Sequence, residues 1–327
     1  MKLRASEMKK TVFALLFFLF CVPALCPAQE FPTKPINVLI AVNPGGSNDS
    51  MVRLIGHKAE KFLGQPFMIT NNGGAAGSVA LGIVAKQPPD GYHLAGHFST
   101  PLILVPHYRT VPYKLDDFTP IIIYGASTLG LVVKADSPWK TLKELVEHAR
   151  KNPGDINYSV LGTGAPQHLA MEYIAKQEGI RWTAVPYSSG LPTIPLLGGH
   201  VTATSTGTEW TPHVQAGTLR LLATYGETRT KTFPNVPTLR ELGYDYVAWS
   251  VYTISAPKGT PSPIIKKLGE AFRKVMDDPE FVQAMDKWEA PPLYRNSEDA
   301  KKLLEEAYVR YGKMIQDFKI PREPEKK

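Results

Sequence analysis

The segment "INVLIAVNPGGSND" (residues 36–49) joins an apolar run to a helical pattern through a Pro-Gly-Gly turn. Its first seven residues, which are rich in β-branched side chains, predict a buried strand. Apolar residues then recur at helical spacing until Gly64, which predicts a helix over 49–63 with Ser47, Asn48 or Asp49 as its N-cap. Unpaired N–H groups at the start of a helix attract anions. A tight turn with a capped helix explains the segment equally well. Other parts of the chain are therefore needed to distinguish an anion site from a purely structural turn.

Strands and helices alternate along the chain, which predicts βαβ units and mostly parallel sheets. Further strands are predicted at 66–70, 92–97, 128–134, 156–160, 182–187 and 218–225, and further helices at 78–86, 141–154, 168–179, 263–276, 279–287 and 297–317. Extended segments near 120–130 and 245–255 predict two lobes between which the chain crosses twice. A cleft between two lobes is a common ligand site.

The first 28 residues have the pattern of a secretory signal peptide, with basic residues, a short apolar run and small residues before a cut after Ala28. The apolar run is shorter than a membrane span requires. Both cysteines, Cys21 and Cys26, lie in this segment, so the exported chain has no disulfide or thiolate chemistry. Of the net charge of +7, three units belong to residues 1–28, which leaves +4. The remaining charges are interspersed, a distribution that does not favour nucleic acid as a partner.

Catalytic motifs are incomplete in this sequence. The segment Gly45–Asp49 has Asp where a nucleophile elbow needs its last glycine, and it lacks the Lys of a phosphate-binding loop. Gly162-Thr163-Gly164 begins a dinucleotide-like pattern in which Gln167 replaces the third glycine. His93 and His97 fall on one predicted strand at roughly 13 Å, too far apart for one zinc ion. We therefore expect no enzyme activity, no cofactor and no metal.

The turn at residues 161–167 resembles the first one, because small donors precede a predicted helix in both. Two such turns on facing lobes could hold a carboxylate from both sides. Neither turn contains Lys or Arg, which favours recognition by amides and hydroxyls. His168 could donate to an anion or lie on the surface, and Tyr187 could line the site or simply end its strand.

Several stretches together resemble the substrate-binding proteins of tripartite tricarboxylate transporters, the Bug family. They are "FPTKPINVLIAVNPGGSND", "AKQPPDGYHL", "VPYKLDDFTPI", "KNPGDINYSVLGTG", "FPNVPTLRELGY" and "APKGTP", and they span nearly the whole exported chain. The resemblance implies a type II periplasmic-binding-protein fold, in which two α/β lobes close on a carboxylate. It also implies that the loops Asn43–Asp49 and Gly162–Gln167 contact the ligand.

These considerations assign residues 1–28 to the signal peptide, 29–127 to lobe 1, 128–248 to lobe 2, and 249–327 to the return to lobe 1 with the C-terminal helices. The candidate ligand-binding residues are Asn43, Gly45, Gly46, Ser47, Asp49 and Ser99 in lobe 1, and Thr163, Gly164, Gln167, His168, Tyr187 and Thr208 in lobe 2.

The chain departs from the family pattern at two places. The loop 71–77 lacks an Arg-Pro pair that is common in the family, and Thr202 stands where an Asp is usual. The segment that follows, "TATSTGTEWTPHV", is rich in hydroxyls, and its Glu209 would repel a second carboxylate if it faced the cleft. We read this as an indication of an unusual ligand.

We therefore expect a monomeric periplasmic solute-binding protein that delivers an organic acid to the permease subunits of a tripartite tricarboxylate transporter. Two alternatives remain at this stage. The same fold could present its ligand to a membrane sensor kinase, or the protein could be an exported hydrolase of unusual design.

Overall fold

The computed structural model describes residues 30–187 and 192–322; the predicted signal peptide lies outside these ranges. The strands are β1 (Ile36–Ile40), β2 (Phe67–Asn71), β3 (His93–Phe98), β4 (Phe118–Thr128), β5 (Gly130–Lys134), β6 (Asn157–Leu161), β7 (Thr183–Tyr187), β8 (Ala203–Thr206), β9 (Leu219–Thr224) and β10 (Trp249–Pro257). The helices are α1 (Ser47–Leu63), α2 (Ser78–Val84), α3 (Thr100–Ile103), α4 (Val105–Tyr108), α5 (Leu142–Lys151), α6 (Pro166–Glu178), α7 (Thr193–Leu197), α8 (Thr211–Gln215), α9 (Ser262–Val275), α10 (Pro279–Lys287) and α11 (Ser297–Asp317).

The strands form two sheets, one in each lobe. The first has the order β2-β1-β3-β10-β4 and the second the order β7-β6-β8-β5-β9. The predicted two-lobe α/β architecture is confirmed. In each sheet four of the five strands run in the same direction and one strand, β10 or β5, runs against them, which agrees with the expectation of mostly parallel sheets. Because the reversed strand lies inside its sheet, each sheet has two parallel and two antiparallel pairings. The antiparallel strands β4 and β10 are the segments that the sequence suggested only as extended connections.

The chain passes from the first sheet to the second through a single residue, Leu129, which lies between the end of β4 and the start of β5. The return passage, residues 225–248, runs beside it. The Tyr225 N–H donates to the Leu129 carbonyl at 2.9 Å, and the Ala248 N–H donates to the Tyr225 carbonyl at 2.8 Å. The two passages are therefore joined by main-chain hydrogen bonds.

Strand direction places the carboxyl ends of β1 and β3 at one edge of the first sheet. The antiparallel pairing of Trp249 with Thr128 brings the end of β4 to that same edge. In the second sheet, Gly130 of β5 pairs with Thr206 at the end of β8, so the passage through Leu129 leads directly to the edge where β6 and β8 end. Both edges therefore face the region between the lobes, where ligands of open α/β sheets bind.

Local sequence explains how the helices begin. Helix α5 starts with a capping box, in which the Glu144 N–H donates to Thr141 Oγ1 at 3.2 Å and the Thr141 N–H donates back to Glu144 Oε2. Helix α11 starts at Asn296, whose side chain accepts the Asp299 N–H. Within the described part of the chain, no helix combines the length and apolar character that a membrane crossing needs.

Histidine 97 lies fully buried in β3 and connects two strands of the first sheet. Its Nδ1 is 2.7 Å from the Phe98 carbonyl oxygen, which can only accept, so Nδ1 carries the proton. Its Nε2 is 2.9 Å from Ser255 Oγ in β10 and accepts from that hydroxyl. Burial lowers the pKa of His97 to about 4 because the charged ring would lose its hydration.

We predict that His97 makes the protein less stable in mild acid. Its pKa in the folded state lies below the unfolded value of ~6.5, so the folded state disfavours the charged ring. The free energy of unfolding should be highest above the unfolded pKa and should fall by up to ~3 kcal/mol as the pH drops towards 4. Urea unfolding of wild type and His97→Gln across this range checks the prediction. His57→Gln, at a largely exposed ring, is the control, and equal pH slopes for wild type and His97→Gln would contradict the prediction.

Candidate functional site

The turn after β1 is organised by Asp49. One carboxylate oxygen accepts the Gly45 N–H at 2.9 Å, and the other accepts Arg53 Nε at 2.8 Å and Asn71 Nδ2 at 2.9 Å. Asn71 also donates to the Val42 carbonyl at 3.2 Å. Gly45 has a φ of 96°, a left-handed conformation that favours glycine. A buried carboxylate thus fixes the shape of the turn, and Gly46, with no side-chain cap, is the N-cap of α1.

This network determines the charge state of Asp49. Burial alone would raise the pKa of its carboxyl group, but the Gly45 and Asn71 hydrogen bonds and the Arg53 charge together hold the pKa below its ordinary value. Asp49 and Gly45 were both predicted to contact ligand. In the structure the Asp49 carboxylate and the Gly45 N–H bind each other, so both serve to shape the turn.

In the turn after β6 a side chain also accepts the N–H of a glycine, but the side chain is a histidine. The Gly164 N–H donates to His168 Nδ1 at 3.0 Å, again to the side chain four residues later. Gly162 and Gly164 both have positive φ, 80° and 79°. In each lobe, therefore, a side chain from the first turn of a helix holds a glycine amide of the preceding loop.

His168 is a neutral ring in this arrangement. Burial lowers its pKa to about 4, and a ring that accepts a hydrogen bond at Nδ1 carries its proton on Nε2. That nitrogen lies 3.6 Å from Glu172 Oε1, and burial raises the pKa of Glu172. His168 was predicted as a possible ligand donor, but both ring nitrogens face groups of its own lobe.

Donors remain at both helix starts. In α1 the Ser50 N–H is the first to bond within the helix, to the Gly46 carbonyl at 3.1 Å, so the N–H groups of Ser47 and Asn48 precede that bond. In α6 the Leu169 N–H donates to the Ala165 carbonyl at 2.9 Å. The N–H groups of the buried residues Gln167 and His168 precede that bond in the same way.

Asn48, which was considered only as a cap, has the most informative side chain of this region. It is only 1% exposed, yet neither its Oδ1 nor its Nδ2 has a hydrogen-bond partner among the described residues. Leaving a buried amide unsatisfied costs about 1–3 kcal/mol. Such groups usually have a partner, which can be a water or a bound molecule.

The other predicted residues lie along the two facing edges. Ser99 follows β3, is buried, and accepts the Val251 N–H at 3.3 Å through its Oγ. Tyr187 ends β7 opposite Leu161 and is half-buried, as is Thr163 in the adjacent turn. Thr208 is 1% exposed, and its Oγ1 has no partner within the described ranges. Asn43 is exposed at the start of the first turn.

Three further residues lie where the lobes meet. Two of them, Tyr252 and Ser127, were not predicted from the sequence. Tyr252 of β10 and Ser127 of β4 come from the antiparallel strands, and Glu209 comes from the hydroxyl-rich segment of lobe 2. The Tyr252 pKa is raised, first by burial and also by the nearby Glu209 charge. The hydroxyls of Ser47 and Ser127 offset part of this rise, although the Tyr252 hydroxyl has no partner with hydrogen-bond geometry among the described residues. Only strand pairing reveals this cluster, because its members are far apart in the chain.

The lobes also touch at the turn after β6. A Cβ built on Gly164 would lie 2.8 Å from two ring carbons of Tyr108, in α4, and 3.3 Å from Ile315 Cδ1, in α11. Gly164 therefore lets lobe 2 pack closely against lobe 1. The described residues contain no cluster of His, Cys, Asp or Glu that could hold a metal ion.

Comparison with known proteins identifies relatives. The family model described as "Tripartite tricarboxylate transporter family receptor" matches residues 51–320. Protein BugT of Bordetella pertussis is 30% identical over 308 residues, which cover 90% of this chain and 93% of BugT. The structure of R. palustris Rpa4515 with adipate has a TM-score of 0.80 and 28% identity, covering 89% of this chain and 99% of that one. MatC from Rhodopseudomonas palustris with bound malate has a TM-score of 0.77 and 25% identity, covering 87% and 100%.

We predict that Gly164→Ala separates the lobes. Both Gly164→Ala and the control Gly162→Ala should lose about 1 kcal/mol of stability to backbone strain, because both positions have positive φ. Only at Gly164 would the added methyl group meet the other lobe, since nothing lies within 4 Å of a Cβ on Gly162. Small-angle scattering should show a larger radius of gyration for Gly164→Ala alone. Identical scattering from the two variants would contradict the proposed close contact.

We predict that Asp49→Ala lowers the free energy of unfolding by about 2–3 kcal/mol, because the Gly45 and Asn71 donors lose a charged acceptor and Arg53 loses its partner. The control is Glu270→Ala, in an exposed pair with Lys266 at the same spacing, which should cost less than ~0.5 kcal/mol. Urea denaturation measures both values, and similar losses would show that Asp49 does not organise the turn.

Proposed function

This chain belongs to the tripartite tricarboxylate transporter receptor family, and from that membership we propose that it captures a small organic acid between its lobes. The fold, the facing turns and the unpartnered buried groups support this proposal. The ligands in the structures of Rpa4515 and MatC are both carboxylates, which supports a carboxylate here.

The observation that carries the proposal is the start of α1. Helix α1 has 17 residues, and its dipole favours an anion at this end. The Asn48 amide is buried there without a partner among the described residues. We propose that a carboxylate accepts from the N–H groups of Ser47 and Asn48 and from the Asn48 side chain. Arg53 takes no part, because its guanidinium group binds Asp49 and Asn71.

Lobe 2 supplies the opposing contacts in this proposal. Gln167 and Thr163 lie at the start of α6 and in the turn before it, while Tyr187 and Ser99 line the two edges. Amide and hydroxyl donors bind an anion with geometric precision but with less Coulomb attraction than an Arg would provide. Affinity then depends on how completely the lobes enclose the ligand.

Closure of the lobes is the proposed mechanical step. Helix α6 begins at the turn that meets Tyr108 and Ile315 through Gly164, so a ligand bound to both helix starts also favours this contact. A ligand shifts the equilibrium only by its extra affinity for the closed form. We propose that the permease subunits of a tripartite transporter distinguish the closed form from the open one.

The remaining assignments follow from the same proposal. The protein acts in the periplasm as a monomer without catalytic activity, after removal of residues 1–28. Lobe 1 comprises residues 29–127 and 249–327, and lobe 2 comprises residues 128–248.

A thermal-shift screen of residues 29–327 against mono-, di- and tricarboxylates, with a neutral sugar as control, tests the function. A ligand at about 100 times its dissociation constant adds ~2.7 kcal/mol to the free energy of unfolding. Stabilisation by one class of acid supports the proposal. If no acid raises the unfolding temperature, the proposal fails.

We predict that Asn48→Leu weakens binding without harming the fold. The free protein should be as stable as wild type or more stable, because the change removes a buried amide that has no partner among the described residues. Affinity for the acid found in the screen should fall about 10- to 100-fold, as expected for a lost hydrogen bond to a charged group. Urea unfolding and titration calorimetry measure the two effects.

Asn71→Leu is the matched control, because the Asn71 amide is fully engaged with Asp49 and the Val42 carbonyl. It should destabilise the free protein. If Asn48→Leu destabilises equally and keeps wild-type affinity, Asn48 is a structural residue.

A further inference from the structure

We propose that Glu209 selects ligands whose end remote from the bound carboxylate carries a hydrogen-bond donor, either a hydroxyl or an ammonium group. This inference rests on the proposed function, because it concerns the same cleft. It states that the end of the ligand remote from the bound carboxylate is not a second carboxylate.

The position of Glu209 is defined by its neighbours. It lies in the short turn Thr208–Trp210 that follows β8, at the edge of the second sheet that faces the first lobe. The Thr206 hydroxyl donates to its Oε2 at 3.2 Å. A Cβ built on Gly207 would lie 2.9 Å from that oxygen and 3.4 Å from Ser127 Oγ. The Glu209 carboxylate and Ser127, at the end of β4 in the first lobe, therefore both border the position of Gly207.

Tyr252 is influenced both by the Glu209 side chain and by the start of α1, where the carboxylate of the ligand is proposed to bind. The charge of Glu209 acts on the Tyr252 hydroxyl, which also lies beside Ser47 at the start of α1. Ser47 and the charge of Glu209 therefore both act on one phenol group, from opposite lobes. In this proposal, an acid whose carboxylate occupies the start of α1 extends its other end towards Glu209.

The surroundings of Glu209 supply little compensation for its charge. Its carboxyl group receives hydrogen bonds from Thr206 and from its own backbone, and the groups facing it from the first lobe are the hydroxyls of Ser127 and Tyr252. None of the ion pairs within residues 30–187 and 192–322 includes Glu209. Burial accordingly raises the pKa of Glu209.

The residue nevertheless stays in contact with solvent. Glu209 is partly exposed, whereas its neighbours Thr208 and Trp210 are 1% and 0% exposed. Glu209 is therefore not fully enclosed between the two lobes. In the same turn the Thr208 hydroxyl is buried without a partner among the described residues, so the turn contains both a charged acceptor and a neutral donor.

Electrostatics then determine which ligands fit. A second carboxylate placed against an ionised Glu209 meets like charge, so binding favours the state in which either Glu209 or the ligand has taken up a proton. A hydroxyl or ammonium group would instead donate to the carboxylate, and an ammonium group would also neutralise it. Glu209 therefore acts in two ways, since it attracts donors and rejects dianions.

Titration calorimetry of the exported chain with matched acids tests this inference. Each set has one chain length and differs only at the end remote from the carboxylate: butyrate, succinate, 4-hydroxybutyrate and 4-aminobutyrate, followed by the longer homologues. At about pH 7.5 the best hydroxy or amino acid should bind at least ~10-fold more tightly than the diacid of equal length. In Glu209→Gln this preference should fall at least ~10-fold, mainly through tighter binding of the diacid.

The pH dependence provides a second measurement. Affinity for a diacid should rise as the pH falls towards the raised pKa of Glu209, because protonation removes the repulsion, and Glu209→Gln should show a weaker rise. Glu270→Gln, on an exposed face of α9, is the control and should behave like wild type.

The possible outcomes are distinct. If acids bind but the wild type prefers the diacid, or if Glu209→Gln leaves the ranking unchanged, this inference is overturned while the proposed function stands. If no acid of any length binds, the proposed function itself fails. The ranking in wild type needs no variant, so the test holds even if Glu209→Gln does not fold.

Discussion

The single-residue connection between the two sheets is the constraint on which this structure depends. Leu129 alone separates β4 from β5, so the edges of the two sheets must lie together at this point. The return passage is held beside it by the hydrogen bonds through Tyr225. The loops at those edges consequently face each other without any further positioning. These two adjacent main-chain segments, together with the packing of Ile315 in α11 against Gly164, connect the lobes.

The facing turns show how one geometry can be built from different chemistry. Asp49 is an ionised carboxylate held by Arg53 and Asn71, whereas His168 is a neutral ring. Each accepts a glycine N–H four residues earlier in the chain. In both cases the side chain consumes an amide that could otherwise have bound a ligand. What it provides is a fixed path for the loop, which leaves the N–H groups of the helix start in a defined direction.

The sequence predicted the parts of the fold that depend on local patterns, namely β1, α1 and the later helices. It did not predict that β4 and β10 form an antiparallel pair, with β10 inside the first sheet and β4 at its edge. Long apolar strands buried on both faces have no alternating pattern. The site residues also fall into those that the sequence indicated and those that only the structure shows. The sequence showed the two turns as glycine-rich segments. It could not show that Asn71 binds Asp49, nor that the Asn48 side chain is buried without a partner among the described residues. Glu209 was noticed for its composition, whereas its neighbours Ser127 and Tyr252 required the strand register.

The order of strands in the first sheet has a consequence for how the protein is made. Strand β10 lies between β3 and β4, although it is the last strand to leave the ribosome. Until about four-fifths of the chain has been synthesised, β3 and β4 have no partner to join them, and the first lobe cannot close. Contacts of such long sequence separation form slowly. The first lobe therefore stays incomplete until β10 has emerged, whereas the second sheet, β5 to β9, is continuous in the chain and has all its strands by Thr224.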